Sequence, residues 1–349
     1  MSATTNISNE KLMDICVKFM ECGNAAEVRK YVNALWASQG SDFSITREQF
    51  YPNFALAWQR GLVTLTPEQH YFLGQEIAKA YEFEASDIKV IECRRDLSAV
   101  AEATARIVVK QIGIVSKMKG PGKRVHLGFG AGRTSALVAQ HLANALRVAE
   151  DIPPLTLHAI SSGFDVEEPD KSPASYFSFF RSVGKDIKFI GLFAPASLKA
   201  SDYENVKTWP GVKEAFQHRD DIDIVITSFA SAKDKHGDLN RFHDVVRGSA
   251  ANSKTRVGDV QYRPYNGKGP VHNPKGMRAV TLFELEDLVE LVRHNDKKVI
   301  LVAGPCGFCG EVRTDALRPL MTNPKLKVWS QLVLDLDTAE QLRDSAGVR

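Results

Sequence analysis

Three alternating glycines, Gly128, Gly130 and Gly132, run directly into Arg133 and Thr134 within the stretch RVHLGFGAGRTSALVAQHLANAL. Glycine permits positive φ and lets backbone N–H groups come close to a ligand, and the first N–H groups of a helix are unpaired and carry the positive end of its dipole. A glycine loop that opens a helix is therefore an anion site, most naturally for a phosphate. The spacing fits neither familiar nucleotide loop. The dinucleotide fingerprint G-x-G-x-x-G needs its third glycine one residue later and an acid after the next strand, where this chain has Ser161 and Ser162. The G-x-x-x-x-G-K-[ST] loop would need glycine at Leu127 and lysine at Arg133. A tight turn between strand and helix, holding no ligand, is the competing reading.

Other residues have the types that chemistry uses. Cys306 and Cys309 form a C-x-x-C after a strand, which raises zinc binding or redox chemistry. A structural zinc needs four ligands, and no second pair or matched histidine spacing accompanies these two, so an incidental pair in a loop is the favoured reading and no metal is expected. Asp165, Asp234, His236, Asp259 and Glu311 fall in loops or just after strands, where a general base would stand. Residues of those types also bind hydroxyls, cap helices or face solvent. No nucleophile–base pair is legible, so no catalytic residue is assigned and no cofactor is expected. The basic stretch GKGPVHNPKGMR reads as a pocket lid or solvated loop, because it lacks the interleaved aromatics of a polyanion groove.

The elements that must position these residues follow from periodicity. Strand patterns at IKVIEC, RVHLGF, LTLHAI, IKFIGLFA, DIVITSFA, KVILVAG and KVWSQLVLDL alternate with helical patterns over 97–118, 132–149, 207–217, 283–294 and 312–321. Such alternation predicts an α/β fold, a mainly parallel sheet with helices on both faces. Ligands of such sheets sit beyond the carboxyl ends of the strands, and the segments there are rich in Gly, Ser, Asp, Lys and Arg, which suits the hydroxyls and phosphate of a sugar phosphate.

Ahead of this lies a small helical domain, expected over residues 1–65, with an effector domain and its linker helix TPEQHYFLGQEIAKAYEF over 66–349. Three helical patterns and a short extended LVTLTP suggest a degenerate helix-turn-helix with the stub of a wing. The segment is electrically balanced, with Lys11, Lys18, Arg29, Lys30, Arg47 and Arg60 set against Glu10, Asp14, Glu21, Glu27, Asp42 and Glu48, where a DNA reader is usually basic. Pro52 interrupts the third helix unless it stands at the first helical position. A small helical assembly module is the alternative.

Composition sets the frame. The 349 residues are 44% hydrophobic and 25% charged with a net charge of +3, an ordinary globular balance that gives no whole-chain case for nucleic acid. No apolar run approaches the roughly 18 residues of a membrane span and the N-terminus has no signal pattern. Five cysteines, an odd number at low density, suit a reducing compartment. The expectation is a cytoplasmic protein.

The ordered series FLGQEIAKAYEFEASDIKVIEC, HLGFGAGRT, LFAPA, VGDVQYRPYNGKG, MRAVTLFELEDLVEL, VILVAG and RTDALRPLM…LVLDLDTAEQL resembles the sugar-binding domain of SorC/DeoR-like bacterial transcriptional regulators over about residues 66–346. The resemblance implies a fold shared with sugar isomerases and CoA transferases and used for sensing. It implies a phosphorylated sugar effector, operator DNA, and a homodimer or homotetramer whose arrangement shifts on effector binding. Carried onto this chain, it puts the phosphate on Gly128, Gly130, Gly132, Arg133 and Thr134, with Arg313 where the family has a lysine. It puts the sugar on Gly163, Asp259 and Arg278. The candidate DNA contacts are Arg47, Asn53, Gln59 and Arg60. The PCGFCGE insertion after VILVAG and the wording of the N-terminal helices depart from the family. Two alternatives stand beside the regulator: an isomerase- or deaminase-like sugar-phosphate enzyme of the same fold, and an effector-binding protein without DNA contact.

Overall fold

Runs such as LTLHA and QLVLD have no polar face, and because successive strand residues point to opposite sides, both sides must be covered. In the computed structural model, which describes residues 7–60, 62, 69–163, 168–237, 256–272 and 276–347, every residue of these two strands is buried. The chain divides into two compact units, Met1–Thr66 and Pro67–Arg349.

The first unit holds helices α1 (Asn9–Cys22), α2 (Ala25–Ser38) and α3 (Arg47–Gln59). Leu12, Ile15, Val28, Val32, Trp36, Phe50 and Ala57 form its core. Gly23 ends α1 in the left-handed conformation, φ 64°, and Asn24 at once caps α2 by accepting from the N–H groups of Ala26 and Glu27. Helix α3 runs through Pro52 instead of starting there. The proline removes the bond to the Glu48 carbonyl, and both residues are exposed, so water replaces it. The extended stub at 63–67 lies outside the described residues.

The second unit opens with α4 (Tyr71–Ala80) and continues through β1 (Ile88–Ile91), α5 (Leu97–Lys119), β2 (Val125–Phe129), α6 (Arg133–Val148), β3 (Leu155–Ala159), α7 (Pro173–Phe180), β4 (Ile187–Ile190), β5 (Ser197–Lys199), α8 (Tyr203–Val206), α9 (Lys213–Gln217) and β6 (Ile224–Ser231). After it come β7 (Gly258–Val260), β8 (Arg263–Asn266), β9 (Gly269–Pro270), β10 (Met277–Ala279), α10 (Leu285–Arg293), β11 (Lys298–Ala303), α11 (Thr314–Thr322), β12 (Gln331–Asp335) and α12 (Leu336–Ser345). The main sheet has the order β1-β12-β11-β6-β2-β3-β4, and all six of these pairings are parallel. From β6 an antiparallel extension runs through β7, β8 and β9, while β5 and β10 pair separately.

Two sequence expectations change. The helix expected over 207–217 is only Lys213–Gln217, because the turns at Asn205–Thr208 and Val206–Trp209 precede it. The GKGPVHNPKGMR stretch is not one solvated loop: β9 lies at its start and β10 at its end, with residues 273–275 outside the described residues.

Two buried features tie stability to sequence. Gly128 sits mid-strand, and a Cβ there would lie 2.7 Å from Ile160 Cγ2 and 3.2 Å from Ile222 Cγ2. Gly128→Ala is expected to lower stability by about 1–3 kcal/mol, read as a lower urea midpoint with an unchanged slope. His158 is fully buried, its Nε2 is 2.9 Å from His126 Nδ1, and burial with the neighbouring His126 holds its imidazole down to about 3. An unfolded histidine takes its proton near pH 6.5, so the unfolded state gains it first and stability falls as pH drops from there toward 3, by up to about 1.4 kcal/mol per unit. Urea midpoints followed from about pH 6.5 to about pH 4.5 should fall less steeply for His158→Gln than for the parent chain; parallel slopes would refute the assignment.

Candidate functional site

The chain order of the parallel strands reverses between β2 and β6: β3 and β4 follow β2 outward on one side, β11 and β12 follow β6 on the other. Loops leaving the two central strands therefore part, and the crevice between them is where α/β sheets hold ligands. A cleft of about 650 Å³, open at its mouth, lies there. Its walls come from the loop after β2 (Ala131 to Thr134), the loop after β6 (Asp234 to Gly237), the β7–β8 turn (Gln261, Tyr262) and the loop after β11 (Cys306 to Phe308), with Lys171 and Arg313.

The loop's own amides are already used. Gly130 N–H donates to the Ile226 carbonyl at 3.0 Å, Ala131 N–H to Ser161 Oγ at 3.0 Å, and Gly132 N–H to the Lys171 carbonyl at 3.0 Å. Gly132 (φ 111°) then caps α6 with no side-chain bond. The next three amides, of Arg133, Thr134 and Ser135, meet no acceptor among the described residues. These are the orphan donors of a sixteen-residue helix, and they stand at its positive end.

Cationic side chains surround them. The Arg133 guanidinium lies 3.8 Å from the Phe308 ring centroid and 3.6 Å from Glu168 Oε1, which also pairs with the buried Lys171. Phe308 stacks on His236 with centroids 4.9 Å apart. Across the cleft Arg313 Nη2 holds Asp234 Oδ2 at 2.9 Å and its Nη1 donates to the Phe229 carbonyl at 3.0 Å. Asp259, 4% exposed, stands 3.7 Å from Arg256 Nη1.

Gln261 is the least expected member. It and Tyr262 form the two-residue turn between β7 and β8 at φ 51° and 63°, a left-handed conformation that asparagine and glycine adopt without cost and other residues do not. Gln261 lines the cleft wall, its amide is buried, and neither Nε2 nor Oε1 has a partner among the described residues. A buried amide with both ends unpaired costs several kcal/mol by general transfer scales, and a strained turn holds it in place. Both features point to a ligand offering a donor and an acceptor, as hydroxyl groups do.

No protein-family model matches the chain, and no curated protein matches it. Among solved structures, the full-length sorbitol operon regulator SorC from Klebsiella pneumoniae matches at 14% identity and TM-score 0.62, covering 97% of this chain and 100% of that one. A transcriptional regulator from Streptococcus pneumoniae matches at 12% identity and TM-score 0.59, over 79% of this chain and 97% of its own. A DeoR family transcriptional regulator from Listeria monocytogenes matches at 16% identity and TM-score 0.53, over 78% and 98%. The chain has the SorC/DeoR regulator fold.

Within that SorC/DeoR fold the expected site residues sort into three groups. Gly132, Arg133, Thr134, Asp259 and Arg313 converge on the cleft. Gly128 and Gly130 do not offer amides to a ligand, which corrects the expectation for both: Gly128 is packed mid-strand, and Gly130 has given its N–H to Ile226, with Thr227 Oγ1 2.8 Å from where a Cβ would be. Gly163 and Arg278 are corrected as well. Gly163 lies off the cleft against Ser172, whose Cβ is 2.7 Å from where a Cβ would be. Arg278 is stacked 3.6 Å over Tyr203 and bonded to Glu284 at 2.6 Å, in a cluster that also takes the buried Arg263. Of the candidate bases, Glu311 lies in a neighbouring pocket and Asp165 outside the described residues. In the first unit Asn53 is 6% exposed and faces the helical core, and the Arg60 guanidinium is bonded to the Ile7 carbonyl and Asn9 Oδ1, both at 2.9 Å, so neither is presented to DNA. Arg47 and Gln59 are exposed.

Lys171, Gln261 and Phe308 were not legible as site residues. The only signal for Gln261 was a two-residue gap in an alternating pattern, without the Asn-Gly that marks such turns. Gln261→Gly should remove the strain and stabilise the unit by up to about 1 kcal/mol in urea unfolding while weakening binding of any cleft ligand. A destabilised variant would show that the turn is relaxed.

Proposed function

We propose that the second unit senses a phosphorylated sugar. The observation that carries this reading is that the start of α6, whose first three amides meet no acceptor among the described residues, lines one cleft together with Arg133, Lys171 and Gln261, whose amide has no partner among the described residues. The amides and cations suit a dianionic phosphate. Gln261 and Asp259 suit the hydroxyls.

Sensing is favoured over turnover because the candidate bases in the cleft are engaged. Asp234 is held by Arg313, Asp259 faces Arg256, and His236 lies flat on Phe308. The solved structures that share this fold include transcriptional regulators, which supports reading this chain as one too. In that reading the effector shifts the arrangement of subunits in a homodimer or homotetramer and thereby the affinity for operator DNA, with Arg47 and Gln59 as the DNA contacts left to α3. Among the described residues no helix is long and apolar enough to cross a membrane.

Thermal unfolding against a panel of hexose, pentose and triose phosphates tests the reading. A ligand that binds only the folded state adds about 2.7 kcal/mol at a hundredfold excess over its Kd, so a true effector should raise the midpoint by several degrees. Arg133→Ala should lose most of that rise while unfolding normally without ligand. No rise with any compound, or a rise that the variant keeps, would refute the phosphate cradle. Steady conversion of the active compound would move the assignment to an enzyme.

A further inference from the structure

The turn CGFC, residues 306–309, lies directly on the cleft's arginine. Cys306 N–H donates to the Glu311 carbonyl at 2.8 Å and its own carbonyl accepts from Gly310 N–H at 2.8 Å, which closes the loop on itself. A Cβ on Gly307 would stand 2.9 Å from Arg133 Cδ and 3.1 Å from Leu97 Cδ2. Phe308 covers the Arg133 guanidinium at 3.8 Å. The two residues between the cysteines thus both lie close against Arg133.

The two cysteines stand three residues apart in the turn that the Gly310 N–H closes on the Cys306 carbonyl, and the Cys306 thiol donates to Asp234 Oδ1 at 3.8 Å. Cys306 is buried and lines the cleft, whereas Cys309 is exposed. Burial alone would push the Cys306 thiol up, but its sulfur accepts from the N–H groups of Cys309 and Phe308 and from the Cys309 thiol, and these hold it below the ordinary range. At Cys309 the Glu311 N–H acts to lower the thiol, yet burial and the Cys306 sulfur outweigh it and the thiol is raised. Among the described residues no group of three or more His, Cys, Asp or Glu is placed to hold a metal ion.

We propose that Cys306 and Cys309 form a reversible disulfide that controls access of an anion to Arg133, with Phe308 as the part that moves. The disulfide itself stands apart from the sugar-phosphate reading; its consequence for binding rests on it. The oxidant is a hydroperoxide entering through the cleft. The Cys306 thiolate attacks one peroxide oxygen, the O–O bond breaks, and the hydroxide that leaves takes up the thiol proton as water, giving a sulfenic acid. The Cys309 sulfur then attacks the Cys306 sulfur, the S–S bond forms as the S–O bond breaks, and the departing hydroxide carries off the second thiol proton. Two thiols lose two electrons and two protons, and hydrogen peroxide becomes two waters. A disulfide demands Cβ atoms about 3.5–4.5 Å apart. Gly307 and Phe308 are the residues such a ring would enclose.

Two readouts on the full chain test this. After hydrogen peroxide, quenching and iodoacetamide, trypsin releases residues 299–313 with both cysteines in one peptide, and it should be two hydrogens lighter and unalkylated, reverting with dithiothreitol, while Cys16, Cys22 and Cys93 remain alkylated. Phenylglyoxal labelling of Arg133 should then differ by at least about fivefold between dithiol and disulfide forms, the low end of ordinary coupling between sites. Cys309→Ser should abolish that difference, and Phe308→Ala should label equally fast in both states. A fully alkylated peptide after peroxide, or equal Arg133 labelling in both forms of the parent chain, would overturn the proposal. Neither readout uses a sugar phosphate, so failure of the effector panel leaves both intact.

Discussion

Between β2 and β6 the parallel ladder has to let two loops depart in opposite directions, and one hydrogen bond holds the parting in place. Gly130 N–H donates to the Ile226 carbonyl at 3.0 Å, one residue beyond the last ladder pair of those strands. It needs glycine, because Thr227 Oγ1 lies 2.8 Å from where a Cβ would be. From that point α6 must start over the crevice, and the cleft, its orphan amides and its cations follow from where α6 starts.

The polar economy of the cleft has a simple order. Buried amides in the loop are satisfied by the protein: Ile226, Ser161 and Lys171 take three in succession. The donors of Arg133, Thr134 and Ser135 then meet no acceptor among the described residues, and Arg133 and Thr134 line the cleft. An unmet buried donor or acceptor costs roughly 1–3 kcal/mol, and Gln261 adds both kinds within a strained turn. A ligand that satisfied these groups would recover that cost on binding. The charges are arranged in the same spirit, since Arg313 is committed to Asp234 at 2.9 Å while Arg133 rests on the face of Phe308 with Glu168 at a looser 3.6 Å.

Three solved structures share the fold at 12–16% identity. The CGFC turn carries side chains onto the cleft. It follows an interior strand, yet its two central residues lie close against Arg133, so any change in its covalent state reaches the cleft without passing through the core.

Much of this architecture was legible in sequence because local rules generate it. Apolar runs buried on both faces specify parallel strands, 3.6-residue periodicity specifies the helices between them, and glycines before a helix start suggest an anion site, which is why Gly132, Arg133 and Thr134, which line the cleft, were expected as site residues. Sequence could not tell a glycine that binds from one that only fits. Gly128, Gly130 and Gly163 are required by Ile160, Thr227 and Ser172, which come from other segments of the chain. Likewise Asn53 and Arg278 look like available polar groups until packing buries the first and Glu284 and Tyr203 claim the second. The sequence by itself determined the strands, the helices and the place of the glycine loop before α6, because those depend on neighbours along the chain. Which side chains face the cleft, and which donors there go unpaired, only the tertiary structure decided, because a hydrogen bond or a steric contact is settled by what distant segments bring to the same few ångströms.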